Sequence, residues 1–324
     1  MNRRDTLLAL LAVGGATFAS HAQQPSKQAR IGYTSFGTPE AQGYLYQAFK
    51  QGMRELGHID GINVVFEDRW AMGNAERVPG LTNDIVALKP AVIVTFTGAT
   101  ARAAQRATTT IPIVFALISD PVGYGLVRSL AHPGGNITGI STLVGDYSPK
   151  LLELLLAVQP KLSRVAILLS PTTGRAQLRN LWSAAQARGV GTLVIEVQTP
   201  AEIEPAFARM AQERVPAVIA LSSPTFTMQR RQLAELAIHH RMASVFTIRV
   251  FAEAGGLIGY GPDYADQARS AATFVDKILK GAKPSDLPVE QATTLELVVN
   301  LKTARSIEIS IPKELLLRAD RVIE

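Results

Sequence analysis

The sequence predicts an α/β protein: two Rossmann-like parallel-sheet lobes that face each other across a cleft. Three observations predict it. Short apolar, β-branched segments alternate with longer amphipathic ones, the pattern of right-handed βαβ units. Four strands of the first half recur in order in the second: Arg30 and Arg164, Phe66 and Ile195, Pro90 and Pro216, and Val114 and Phe246 stand 134, 129, 126 and 132 residues apart. Such near-constant spacing marks an internal duplication, and Pro90-Ala91-Val92-Ile93 returns letter for letter as Pro216-Ala217-Val218-Ile219. At 324 residues the chain also exceeds the usual size of one domain.

Taken in order, Ile31 to Ser35 reads as the first strand and residues 41–56 as a helix, with Leu45, Phe49, Met53 and Leu56 on one face and Gly57 as its stop. Asn63 to Glu67 is a strand, and Asn74 is placed to cap a helix reaching Leu88. Ala91 to Thr95 is apolar or β-branched throughout, as suits a strand buried on both faces. Thr97-Gly98-Ala99-Thr100 then turns into a short helix, Ile111 to Leu117 is a strand, and Asp120-Pro121 opens another turn and a helix start. Asn136 to Ile140 follows as a strand.

The second half repeats this course. Arg164 to Leu169 is a strand, residues 170–174 a turn, and the next helix ends near Arg188. After the strand Thr192 to Val197, Thr199-Pro200-Ala201-Glu202 is a capping box with proline at the first helical position. Pro216 to Ile219, a polar turn from Ser222 to Thr227, a helix to Arg241 and the strand Ala243 to Thr247 complete the repeat. A strand ends at Tyr260, Gly261-Pro262-Asp263 breaks it, and a helix covers 264–280; Leu295 to Val299 and Pro312 to Arg318 give a last strand and helical turn.

Arg3-Arg4, an apolar run from Thr6 to Phe18 and Ser20-His21-Ala22 form an export leader that resembles a twin-arginine signal; Thr6 stands where an aromatic is preferred, and an ordinary secretory leader is the alternative. Residues 1–22 are expected to be removed and 23–27 to be a tether, leaving a soluble periplasmic protein. The chain has no cysteine, which excludes disulfides, thiolate metal sites, a cysteine nucleophile and a lipid-modified N-terminal cysteine. The net charge of +6 is scattered rather than gathered into a stripe, so no nucleic-acid partner is expected.

Catalytic signatures are missing, and no enzyme is expected. Gly123-Tyr124-Gly125 and Gly259-Tyr260-Gly261 begin like dinucleotide loops, but Arg128 and Tyr264 stand where the third glycine belongs. Gly139-Ile140-Ser141-Thr142-Leu143 lacks the second glycine of a nucleophile elbow. His239 and His240 are adjacent and point to different sides of a helix. No cofactor and no metal site are expected.

Ligands of open α/β sheets bind at the carboxyl ends of the strands. That rule nominates Ser35 and Phe36 after the first strand, Thr97, Gly98, Ala99 and Thr100 after the third, and Asp120 on the next turn. From the second half come Ser170, Thr172 and Ser222, with Tyr260 at a strand end. Thr97 to Thr100 and Asp120 have an alternative role as caps, and Tyr33, Phe36 and Tyr44 belong either to the core or to an aromatic wall. In this scheme a ligand carboxylate meets the N–H groups of Gly98, Ala99 and Thr100, and Asp120 meets an amine.

Several stretches resemble one family, the substrate-binding proteins of ABC transporters. They include Arg30-Ile31-Gly32-Tyr33, residues 51–57, Ile111-Pro112-Ile113-Val114-Phe115, Asp120-Pro121-Val122-Gly123, residues 133–139, Tyr260-Gly261-Pro262-Asp263, residues 275–281 and Asn300-Leu301-Lys302-Thr303-Ala304. The likeness is colinear over the mature chain. It implies the type I periplasmic-binding-protein fold with three crossovers, the first lobe holding 28–142 and 262–288 and the second 143–261 and 289–324. It implies a monomeric receptor that closes on a small molecule, among relatives that bind tryptophan and related aromatic amino acids, and hands it to a membrane permease. A sensing module that presents the ligand to a signalling receptor, or an enzyme using the cleft, are the alternatives. Where the family often has Asn-Pro this chain has Ser170-Pro171.

Overall fold

Two sheets form where the apolar runs fall. The computed structural model describes residues 28–142, 147–171, 173, 175–221 and 223–324; the expected leader and tether, Thr172 and Ser222 lie outside the described residues. The first half runs β1 (Ala29–Ser35), α1 (Pro39–Glu55), β2 (Val64–Trp70), α2 (Arg77–Ala87), β3 (Val92–Thr95), α3 (Gly98–Ala107), β4 (Ile113–Ile118) and β5 (Ile137–Thr142). The second runs α4 (Ser148–Val158), β6 (Arg164–Leu169), α5 (Arg175–Ala187), β7 (Gly191–Glu196), α6 (Ile203–Gln212), β8 (Ala217–Ala220), α7 (Pro224–Met228), α8 (Arg230–His239), β9 (Ala243–Phe246), α9 (Arg249–Glu253) and β10 (Ile258–Pro262). The chain then returns through α10 (Tyr264–Leu279) and β11 (Glu290–Ala292), and finishes with β12 (Leu295–Asn300), α11 (Leu301–Ser306), α12 (Lys313–Arg318) and β13 (Arg321–Ile323).

The first sheet has the order β11-β5-β4-β3-β1-β2 and is parallel throughout. The second has the order β13-β12-β10-β9-β8-β6-β7; only the β10–β12 pairing is antiparallel, so β12 and β13 both run against the other strands. In each sheet the strand order reverses at the opening strand: β1 lies between β2 and β3, and β6 between β7 and β8. These reversals open a crevice at the carboxyl edge of each sheet. Both faces are packed, as period-two alternation requires. Val92 and Val94 enter the core beneath α1 and α10, while Ile93 enters the one on the other face.

Helix α10 belongs to the first lobe although it follows the second in sequence. It packs along α1, where Gly52 leaves no room for a side chain: a Cβ there would lie 2.3 Å from the Arg269 carbonyl oxygen. The same pair is pinned at its end by His58 Nε2 and Lys280 Nζ, 2.9 and 2.8 Å from the two oxygens of Asp276. Burial alone would raise the Asp276 pKa, but the bonds from Lys280 and His58 outweigh it and hold the carboxyl below its ordinary value.

Several local expectations are corrected. Asp120-Pro121 begins no helix: residues 121–125 form a turn, with Gly123 N–H donating to Asp120 Oδ1 at 2.7 Å and Tyr124 N–H to the Asp120 carbonyl at 3.0 Å. Asn74 accepts from Glu76 N–H three positions before α2 and so caps a turn rather than the helix. The Thr199 box opens a single 3₁₀ turn before α6; Glu202 accepts from Gln198 N–H and the Thr199 hydroxyl, while Thr199 makes no side-chain cap bond. Pro262 ends β10 instead of interrupting it. Glu290–Ala292 pair with Ile140–Thr142, so the first sheet takes in residues placed by expectation in the second lobe, because ladder bonds, not sequence position, decide membership. Among the described residues no helix is long and apolar enough to cross a membrane.

Candidate functional site

The carboxyl edges of the two sheets face each other, and a cavity of about 200 Å³ lies between them. That is below the 300–1,000 Å³ typical of drug-sized ligands and suits a small metabolite. The first lobe contributes Gln42, Tyr44 and Leu45 from α1, Phe96, Thr97 and Gly98 from the β3–α3 turn, Leu117 and Ser119 from the end of β4, and Thr142 from β5. The second contributes Gln177 from α5, Ser223, Pro224 and Thr227 at α7, and Ile248 after β9; Tyr264 closes the side where α10 begins.

The duplication reappears as a matched pair of caps. Thr97 and Ser223 stand 126 residues apart, both in extended backbone immediately before a helix. Thr97 Oγ1 accepts from Thr100 N–H at 3.3 Å and Ser223 Oγ from Phe226 N–H at 3.1 Å. A serine or threonine in this place satisfies one of the free N–H groups of the first turn. Both helices therefore present their amino-terminal ends to the same cavity.

Leu117 is the strained point of the site. It has φ +62, a left-handed conformation uncommon outside glycine, and the β4–β5 register shifts between Phe115 and Ile118. The irregularity sits at a strand end that lines the cavity, where such strain concentrates.

The described lining holds no Asp, Glu, Lys or Arg. Burial pushes the Tyr44 hydroxyl pKa well up, and the neighbouring Tyr264 adds to the rise while Arg249 and Arg230 oppose it. Tyr44 thus faces the cavity as a neutral phenol. Recognition here falls to neutral dipoles and apolar walls. Across the mouth, Arg230 donates to the Glu40 carbonyl at 3.1 Å and to the Thr227 carbonyl at 3.0 Å, linking the lobes. Met228 rests against Gly73 on the facing lobe.

The nominated residues scatter around this cavity. Thr97 and Gly98 line it. Thr100 is buried behind them, its hydroxyl donating to the Thr97 carbonyl at 3.0 Å, and Ala99 faces outward towards Arg102 and Arg106. Ser35 is buried and donates to Gln42 Oε1 at 2.7 Å, one layer behind the lining. Phe36 is half-buried outside the lining, and Tyr33 is core, stacked on Tyr46 at 4.5 Å. Asp120 is exposed, its carboxylate held by Gly123, and it does not line the cavity. Ser170 is buried and its N–H donates to Thr173 Oγ1. Tyr260 packs edge-on against Tyr147 at 6.3 Å, on the core side of β10.

Tyr44, which the sequence left between core and aromatic wall, takes the wall; the two glutamines, Tyr264, Phe96, Thr142 and Ile248 were not nominated. A signal for one pair exists in the sequence: Gln177 follows Gln42 by 135 residues, as Ser170 follows Ser35. This offset is one more than that between Arg30 and Arg164 at the start of the repeat. Tyr264 carries no such signal, because α10 joins the first lobe only through the return of the chain.

Comparison with known proteins places this geometry. Residues 36–323 match the family described as ABC transporter substrate binding protein. A "Tyrosine-binding protein" of Clostridioides difficile (strain R20291) is 23% identical over 286 residues, covering 87% of this chain and 81% of that protein. Among solved structures, an ABC domain in complex with L-Trp from Streptococcus pneumonia is 26% identical with a TM-score of 0.83, over 91% of this chain and 100% of that one. A conserved domain protein from Vibrio cholerae matches with the same identity, TM-score and coverage. A ligand-free, open substrate-binding protein from Clostridium difficile, 22% identical, shares the fold at a TM-score of 0.68 over 91% of this chain and 99% of that one. With the match running from the end of the first strand to the last, this chain belongs to the ABC transporter substrate-binding protein family.

Proposed function

We propose that the protein is the exported receptor of an ABC importer, that it closes on an amino acid with an apolar or aromatic side chain, and that it delivers this ligand to a membrane permease without chemical change. The observation that carries the reading is the cavity between the two carboxyl sheet edges, with helix-opening turns from both lobes and apolar walls from Phe96, Leu117 and Ile248. Free N–H groups at a helix start favour a carboxylate, and the apolar walls favour a side chain with little polarity. The tyrosine-binding relative and the tryptophan complex agree with that class. Export rests on the Arg3-Arg4 leader and its Ser20-His21-Ala22 site.

A helix terminus contributes about 0.3–1 kcal/mol, or about 2 when partly buried. Micromolar binding needs about 8 kcal/mol, so the apolar walls and the hydrogen bonds from both lobes must supply most of it. A thermal-shift screen of the mature protein against amino acids, sugars and carboxylates tests the reading. Stabilisation confined to apolar or aromatic amino acids is the expected result; stabilisation by sugars or by no amino acid overturns it.

A further inference from the structure

Gln42 and Gln177 occupy equivalent places in the two lobes, each in the first turn of the helix that follows its lobe's opening strand. Both line the cavity and both are more than nine-tenths buried, at 7% exposure. The amide of Gln42 is oriented by its neighbours. Its Oε1 lies 3.2 Å from Gly37 N–H, a group that only donates, and it also accepts from the Ser35 hydroxyl at 2.7 Å. The –NH₂ end therefore points away from the β1–α1 turn, and the hydrogen bonds of Gln42 among the described residues all go to its Oε1. In Gln177 it is Nε2 that lies beside the Tyr147 hydroxyl, donating at 3.4 Å. Its Oε1 makes no hydrogen bond among the described residues.

We infer that these two amides form a polarised clamp, Gln42 Nε2 donating to the ligand carboxylate from the first lobe and Gln177 Oε1 accepting from the ligand ammonium on the second. The inference rests on the reading of the cavity as an amino acid site and deepens it. An unpartnered amide inside a cavity gains from a ligand that completes its hydrogen bonds and penalises one that does not. The donor end stands in the same lobe as the Thr97-capped start of α3, so the two favour the same end of the ligand. Closing the lobes brings donor and acceptor to opposite ends of one zwitterion. Selectivity for a free amino acid over its amine or its acid then arises without a charged side chain in the described lining.

The probes are L-tryptophan, tryptamine, which lacks the carboxylate, and indolepropionate, which lacks the ammonium; for a protein that prefers L-tyrosine, the corresponding amine and acid of tyrosine replace them. Calorimetric and competition titrations at alkaline pH compare the parent with Gln42→Glu and Gln177→Met. Gln42→Glu keeps an acceptor for Ser35 and Gly37 while removing the donor, so the β1–α1 turn is retained. The expected pattern is crossed. Gln42→Glu weakens the amino acid and the acid by roughly 10- to 100-fold and spares the amine, whereas Gln177→Met weakens the amino acid and the amine to a similar extent and spares the acid. Binding of the spared probe shows in each case that the variant is folded. Unchanged affinities, or equal losses for all three probes, overturn the clamp while leaving the amino acid reading in place. A parent that binds no apolar or aromatic amino acid overturns both.

Discussion

Adding a single methyl group at Gly261 tests whether the crossing between the lobes is as tightly built as it looks. Gly261 lies in β10, opposite Glu296 of β12, beside the point where β9 gives way to the cavity-lining Ile248. A Cβ there would stand 1.8 Å from the Thr247 carbonyl oxygen, against an ordinary contact of 3.4 Å or more. One of two backbones must therefore move by about 1.6 Å. Overpacking costs about 1–3 kcal/mol where side chains can yield. Here the obstacle is main chain within a sheet, which puts Gly261→Ala at about 3 kcal/mol or more. At roughly 2–4 °C per kcal/mol for a unit of this size, the melting temperature should fall by about 6–12 °C. Scanning calorimetry of parent and variant reads this directly. A variant that melts within 2 °C of the parent would show that β9 and β10 separate at no cost, and the close crossing described here would be wrong.

Three further outcomes are expected. Asp276→Asn should destabilise by about 1.5–3 kcal/mol at neutral pH, the range for hydrogen bonds to charged groups. Because the folded carboxyl is held below its ordinary value of 3.8, its contribution is complete above pH 4 or so and lost as pH falls through the lower folded value; parent and variant melting curves that stay equally far apart in strong acid would refute this. Arg230→Ala removes the bond to the Glu40 carbonyl across the cavity mouth, so small-angle scattering should show a larger radius of gyration than the parent's, and an identical profile would deny the bond a part in closure. Mass spectrometry of the exported protein should find a chain beginning near Gln23, and an intact Met1 would rule out cleavage after Ala22.

The duplication was legible because parallel strands buried on both faces are written as near-continuous apolar runs, and β3, β6 and β8 come close to that pattern. Short elements were not: β11 and β13 have three residues each and α9 five, too few for any period to show. The turn at Thr97-Gly98 was found because a polar cap after an apolar strand has a local signature. Gln42 and Gln177 were passed over because an isolated glutamine in a first turn looks like solvated surface; only the packing of Ser35 and Gly37 around one, and of Tyr147 against the other, sets them apart. Asp120 misled for the opposite reason. Its sequence context fits a helix cap or a ligand contact, yet Gly123 N–H engages the carboxylate within a tight exposed turn.

The most direct measurement is a crystal structure of the mature protein with the amino acid that stabilises it best. The account predicts that this ligand lies between Phe96, Thr97 and Gly98 of the first lobe and Ser223, Pro224 and Ile248 of the second, with both lobes touching it. A ligand bound anywhere else, or held by one lobe alone, would contradict the account.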